Sequence, residues 1–172
     1  MIAISTILAS SLVALATIEI APGTAQQVRR SGSFELPCGA DTAFPFFSPE
    51  GEREWVKGWN PTPVFPGTIE FSRDTVFREG PPGDEAVWTV VDVDRKTHRA
   101  EYVRVAPRSH TARIVVQIEA LGAERARVTV TYTITAFGED MATLVEAFSE
   151  EAYAAKLVAW REQISACLKN RN

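Results

Sequence analysis

Nucleophiles, bases and metal ligands are scarce in this chain. It has two histidines and two cysteines in 172 residues. His98 opens one extended segment and His110 follows its far end. About nine residues of strand, roughly 30 Å, separate them, so they share no proton path. Each reads as a surface turn residue. Cys38 has no neighbouring histidine to activate it and reads as structural. No Gly-x-Ser-x-Gly elbow or glycine-rich phosphate loop occurs. A Cys/His zinc site would need nearly all four residues from scattered positions. No metal and no cofactor is expected.

The aromatic side chains carry more information. Four tryptophans, with Tyr102, Tyr132 and several phenylalanines, offer large area with few rotors, and their polar tips can orient a guest. The lining candidates are Trp55, Trp59, Trp88, Tyr102, Tyr132 and Phe148, with Phe77 and Trp160 next. The plainer alternative is that these rings fill a core. Arg104 shares a face with Tyr102, and Asp92 shares one with Trp88. If those faces point inward, Arg104 pairs with Asp92 or with a ligand carboxylate, because buried charges need partners. If they point outward, Arg104 belongs to a solvated charge ladder.

These residues need elements to place them. Glu139 to about Lys169 contains no Gly or Pro and is dominated by strong helix formers. Met141, Leu144, Val145, Phe148, Ala152 and Ala155 fall on one stripe, and Tyr153, Leu157, Trp160, Ile164 and Leu168 on a second that merges with it. One long helix with a wide apolar face, lying on a sheet, is expected. Glu139 and Asp140 at its start and Lys169 and Arg171 at its end suit the helix dipole.

Val28 to Leu36 alternates as a half-buried strand, with Val28, Gly32, Phe34 and Leu36 on one face. Asp41 or Thr42 can cap a short helix that points Ala43, Phe44 and Phe47 inward. Ser48-Pro49-Glu50 signals a second short helix to about Val56. Residues 57–67 read as a Pro- and Gly-rich loop carrying Trp59. Residues 68–79 hold one or two weak strands, with Ile69, Phe71 and Phe77 as core residues.

A meander follows, with strands at 85–93, 98–106, 110–120 and 125–137. The last alternates most clearly: Val128, Val130, Tyr132, Ile134 and Ala136 face one way, and Thr129, Thr131, Thr133 and Thr135 line a wet face. The strand at 85–93 is apolar on both faces, which leaves its inner side open.

The net charge of −4, without any Lys/Arg run, argues against a nucleic-acid surface. Ile2 to Ile18 is uncharged and apolar, and Gly23 and Ala25 suit a signal-peptidase site, although no Lys or Arg precedes the run. Residues 1–25 therefore read as an export leader, placing the protein in the periplasm or outside the cell, with membrane contact only through an uncleaved leader. The alternative is a cytoplasmic chain whose translation starts later. A bridge between Cys38 and Cys167 is open if the ends of the domain meet.

The stretch from Phe44 to Pro61, FPFFSPEGEREWVKGWNP, resembles the entry segment of a bacterial branch of the START-like (SRPBCC) superfamily. That superfamily includes polyketide cyclase/dehydrase-like and lipid-transfer proteins. Trp88–Asp94 and Glu101–Pro107 resemble its central strands. The resemblance spans residues 28–168 and implies one α+β helix-grip domain, 28–169: a curved antiparallel sheet of six to seven strands around a long C-terminal helix, with two short helices after the first strand. It further implies a deep apolar cavity between sheet and helix.

Three functions fit. The first is non-catalytic binding of a small hydrophobic molecule of lipid, polyketide or isoprenoid type. The second is a cyclase or dehydratase using Tyr102, Tyr132 or Arg104, since a shaped cavity with one such group can steer an aldol closure. The third is a protein-interaction module resembling chaperone-activating relatives, which expects a filled core.

Overall fold

The computed structural model describes residues 26–107, 109–137 and 141–171, with the backbone alone at 141, 142 and 145. Strand β1 (Gln26–Leu36) leads into helix α1 (Ala40–Ala43) and two single-turn 3-10 helices, Phe44–Phe47 and Gly51–Glu54. Strands β2 (Thr62–Phe65), β3 (Val76–Glu79), β4 (Ala86–Asp94), β5 (Arg99–Ala106), β6 (His110–Gly122) and β7 (Arg125–Ala136) follow. Helices α2 (Met141–Ala147) and α3 (Glu150–Asn170) end the chain. All strand pairs are antiparallel, in the order β1-β7-β6-β5-β4-β3-β2. This is the helix-grip architecture expected from the sequence.

The alternating pattern of the last strand holds. Val128 and Val130 are fully buried, and Ile134 and Ala136 nearly so, while the threonines are half-exposed. β6 repeats this with Ala112, Ile114, Val116 and Ile118 inward. The strand left open, β4, is resolved by a bulge at Val91. Val90 pairs with Tyr102 on the inner face, and Asp92, two residues on, pairs with Glu101 on the outer face. The extra residue shifts the alternation by one, so Asp92 leaves the face it would share with Trp88. Asp92 is held outside by Arg73 at 2.6 Å and Arg99 at 3.2 Å. Glu101 beside it receives Arg99 and Arg113, the latter at 2.6 Å.

Four local expectations are corrected. α1 is capped by the Gly39 backbone, not by the side chain of Asp41 or Thr42, and Asp41 instead meets His98 at 2.7 Å. β2 forms inside the expected 57–67 loop. Pro63 is tolerated there because β2 is an edge strand, with one side unpaired. The single long helix is two. Ser149 leaves helical geometry, at ψ 160°, and its Oγ accepts from the Ala152 amide, starting α3 afresh. Ala155, expected on the inner stripe, is exposed. The leader at 1–25, Glu139 and Asp140, and the side chains of Met141 and Val145 lie outside the described residues.

α3 buries Tyr153, Leu157, Ile164 and Leu168 against the sheet. It crosses β1 at Gly32, where an added Cβ would stand 2.4 Å from Leu157 Cδ1. The missing side chain is what lets the helix approach this closely. Cys38 and Cys167 are separate free thiols. Cys167 Sγ instead donates to the Glu54 carbonyl at 3.2 Å.

Candidate functional site

A cavity of about 420 Å³ lies between the inner face of the sheet and α3. Strand register assigns its wall. Phe77 of β3 pairs with Trp88 of β4, and Trp88 with Arg104 of β5. Arg104 pairs with Ala112 of β6, and Ile114 of β6 with Tyr132 of β7. The two 3-10 turns and the loop after them add Phe47, Glu52, Val56 and Trp59, while Phe148, Lys156 and Trp160 close the far side.

The aromatic wall is interlocked. Phe77 and Trp88 stack at 5.8 Å and 10°, and Trp59 meets Trp88 edge-on at 5.4 Å. Trp59 is held because its Nε1 donates to the Pro49 carbonyl at 2.7 Å. Its loop is pinned by Arg53, which donates to Asn60 Oδ1 and to the Pro61 carbonyl. Tyr132 packs against Phe148 at 5.8 Å and Trp160 at 6.5 Å.

Seven of the eight expected lining residues, Trp59, Phe77, Trp88, Tyr102, Arg104, Tyr132 and Phe148, face this cavity, as does Trp160. Trp55 does not. Its Nε1 donates to the Phe46 carbonyl at 2.8 Å, and its ring wedges edge-on against Trp160, so it supports the wall from behind.

The two tyrosines differ. Tyr102 Oη donates to the buried Phe47 carbonyl at 2.6 Å, which spends its hydroxyl on the fold. Tyr132 Oη has no hydrogen-bond partner among the described residues. Burial first, then the nearby Glu52, pushes the Tyr132 phenol up, so it stays protonated.

Three polar residues in the wall had not been singled out from sequence. His110 had been read as a surface turn residue. It is part-buried and accepts Arg104 Nη1 at 2.7 Å. Its signal was its parity with Ala112, Ile114 and Val116. Lys156 lies one helical turn before Trp160, the spacing that puts both on one face. From the sequence, Glu52 is only one of the acids in the first turn of the second short helix. The tight 3-10 turn instead aims it inward, where it keeps some accessible area only because the cavity lies in front of it. Burial, then the Glu79 carboxylate, pushes its carboxyl up to about 8. His98 lies apart from the cavity, at φ 51°, between Asp41 and the edge of the Phe44 ring.

Among the described residues, no group of three or more His, Cys, Asp or Glu is placed to hold a metal. Nor is any described helix long and apolar enough to cross a membrane.

No family model and no curated protein sequence matches the chain. Solved structures do. Norcoclaurine synthase from Thalictrum flavum, in complex with dopamine and hydroxybenzaldehyde, is similar at TM-score 0.59 and 12% identity, covering 81% of this chain and 87% of the other. The Zhui aromatase/cyclase from Streptomyces sp. R1128 gives 0.56 and 16%, over 80% and 93%. Ara h 8.0201 gives 0.59 and 11%, over 84% and 99%. These likenesses show a shared fold. They leave the reaction or cargo of this chain to be argued from its own residues.

Proposed function

We propose that this helix-grip chain binds a small hydrophobic molecule in the cavity between its sheet and α3. The supporting observation is the cavity itself: about 420 Å³, walled by Trp59, Phe77, Trp88, Tyr132, Phe148 and Trp160. That size and lining are those of small-molecule sites, mainly apolar with a few convergent polar groups. The cavity also weighs against the interaction-module reading, which expects a filled core. Three of the four tryptophans line the cavity, so a bound aromatic probe quenches intrinsic fluorescence. The test is titration with a naphthalene-type probe against the wild type and Ala112→Phe, which fills the cavity from β6. Saturable quenching lost in a folded variant supports the reading. Quenching unchanged in Ala112→Phe, or no binding at all, refutes it.

A second reading is favoured by one observation. A neutral Glu52 carboxyl and the Tyr132 hydroxyl, which has no hydrogen-bond partner among the described residues, face the same apolar space. Such a pair can move protons on a carbonyl-bearing guest, as in cyclase or dehydratase chemistry. Tyr102, the other tyrosine considered, has its hydroxyl engaged by Phe47. Turnover that disappears in Glu52→Gln and Tyr132→Phe while probe binding survives would establish an enzyme. The exported location follows as part of the same proposal, and the mass of the mature chain purified from its own host tests it.

A further inference from the structure

We propose that the guest is an anion, an aromatic or otherwise rigid carboxylate whose head is taken by Arg104 and Lys156. This rests on the ligand-binding reading above and adds the chemical class of ligand.

Arg104 points inward by register and lies over the Trp88 ring, 5.6 Å from its centroid. Its polar contact is His110 Nε2, at 2.7 Å. A guanidinium has no lone pair to offer, so His110 must accept through Nε2. The ring proton then sits on Nδ1, which lies 2.9 Å from Ser109 Oγ and donates to it. His110 is therefore neutral in this arrangement and brings no countercharge. Its burial, and the charge of Arg104 itself, also hold it below the ordinary histidine range.

Lys156 Nζ lies 4.9 Å from the Phe148 ring centroid. Neither Arg104 nor Lys156 takes part in an ion pair among the described residues. Glu52, the one carboxyl in the wall among the described residues, makes no ion pair with them either and retains its proton at neutral pH. Among the described residues the wall thus gathers two cations and no carboxylate paired with either; Glu79 and Asp84 act on Arg104 from outside the wall, without an ion pair.

The contrast lies on the other side of the same strands. There the acids are matched: Asp92 with Arg73 and Arg99, Glu101 with Arg99 and Arg113. The bulge at Val91 takes Asp92 off the inner face that Arg104 shares with Trp88. Burying a cation without a partner is costly, and a carboxylate that enters the cavity removes that cost. The planar fork of Arg104 suits such a head, and the ring wall suits a flat body.

The test compares 2-naphthoate with its neutral isostere 2-naphthamide by tryptophan quenching at neutral pH. Roughly tenfold tighter binding of the acid is expected, from one charge-assisted contact in a low-dielectric site. Arg104→Met and Lys156→Met should each cut that preference to about two- to threefold, with saturable naphthamide quenching retained as the report that the cavity is intact. Equal affinity for acid and amide in the wild type overturns the proposal but leaves the cavity reading standing. So does a preference that survives in both variants. Binding of neither probe overturns both.

Discussion

Replacing Glu52 with Gln should change how stability depends on pH more than stability itself. In the folded chain the Glu52 carboxyl is held at about 8, against an ordinary 4.5. Between those values the native state keeps a proton that the unfolded chain has released. Raising the pH therefore destabilises the fold, by up to about 1.4 kcal/mol per pH unit. Across the whole interval the cost has a ceiling of about 5 kcal/mol, and water entering the cavity in front of the carboxylate lowers it to about 2–4 kcal/mol. Glu52→Gln keeps shape and polarity and has nothing to titrate. Urea unfolding at pH 5 should find the two proteins within about 1 kcal/mol of each other. At pH 8 the variant should be the more stable by about 2–4 kcal/mol. Glu101 acts at the other end of the scale. Arg113 first, against some burial and with help from Arg99, holds it down to about 2, so its contribution is present above the ordinary range and is lost as pH falls through that value. Because Glu101 is untouched, both proteins should share the same acid limb. Parallel stability curves for wild type and Glu52→Gln from pH 5 to 8 would refute the inward, desolvated placement of this carboxyl.

Tyr102→Phe strands the buried Phe47 carbonyl and should cost about 1–2 kcal/mol in urea unfolding, whereas Tyr132→Phe, which loses no hydrogen-bond partner among the described residues, should stay within about 0.5 kcal/mol. Equal effects would contradict the assignment of one hydroxyl to the fold and the other to the cavity. Gly51→Ala places a Cβ 1.9 Å from the Pro45 carbonyl oxygen and 2.9 Å from its carbon, rigid backbone on both counts. A loss of about 3 kcal/mol or more in thermal or urea unfolding is expected, with the turn that presents Glu52 displaced. Ser149→Ala removes the cap of α3 and should cost about 1 kcal/mol, read by urea unfolding. No loss would mean that the break between α2 and α3 is set by packing rather than by the cap.

The sheet was legible because β6 and β7 are each buried on one side, which writes a period of two into Ala112–Ile118 and Val128–Ala136. The same logic failed on β4, where a single unpaired residue, Val91, changes the parity halfway along a strand without leaving a Gly or Pro to mark it. In the last segment, continuous helix-forming composition masked the joint at Ser149, although a serine followed by Glu150 and Glu151 is itself the pattern of a helix start. The aromatic wall could be read because large rings on the inner parity have few other places to go. Trp55 is the exception: its indole N–H found a carbonyl behind the wall, a contact set by the geometry of a 3-10 turn that composition does not encode. Glu52 was hidden for the same reason. A turn with three residues per revolution aims its side chains differently from an α-helix, and an acid in a first turn looks solvated in either case. His110 was legible by parity but was overlooked because it stands at a strand end.

Gly32 does not itself line the cavity, yet it sets the height of the ceiling. At this crossing α3 rests on β1 with nothing but hydrogen beneath Leu157, and the same stretch of helix carries Lys156, the residue before it, and Trp160, three residues on, over the guest space. A side chain at position 32 would act as a shim under that beam, tilting or lifting both residues together. Capacity in such a scaffold is thus governed at two separable places: the lining decides what the guest must look like, and a buried contact on an edge strand decides how much room it is given. Variation in guest size can accumulate there without altering any residue that the guest meets.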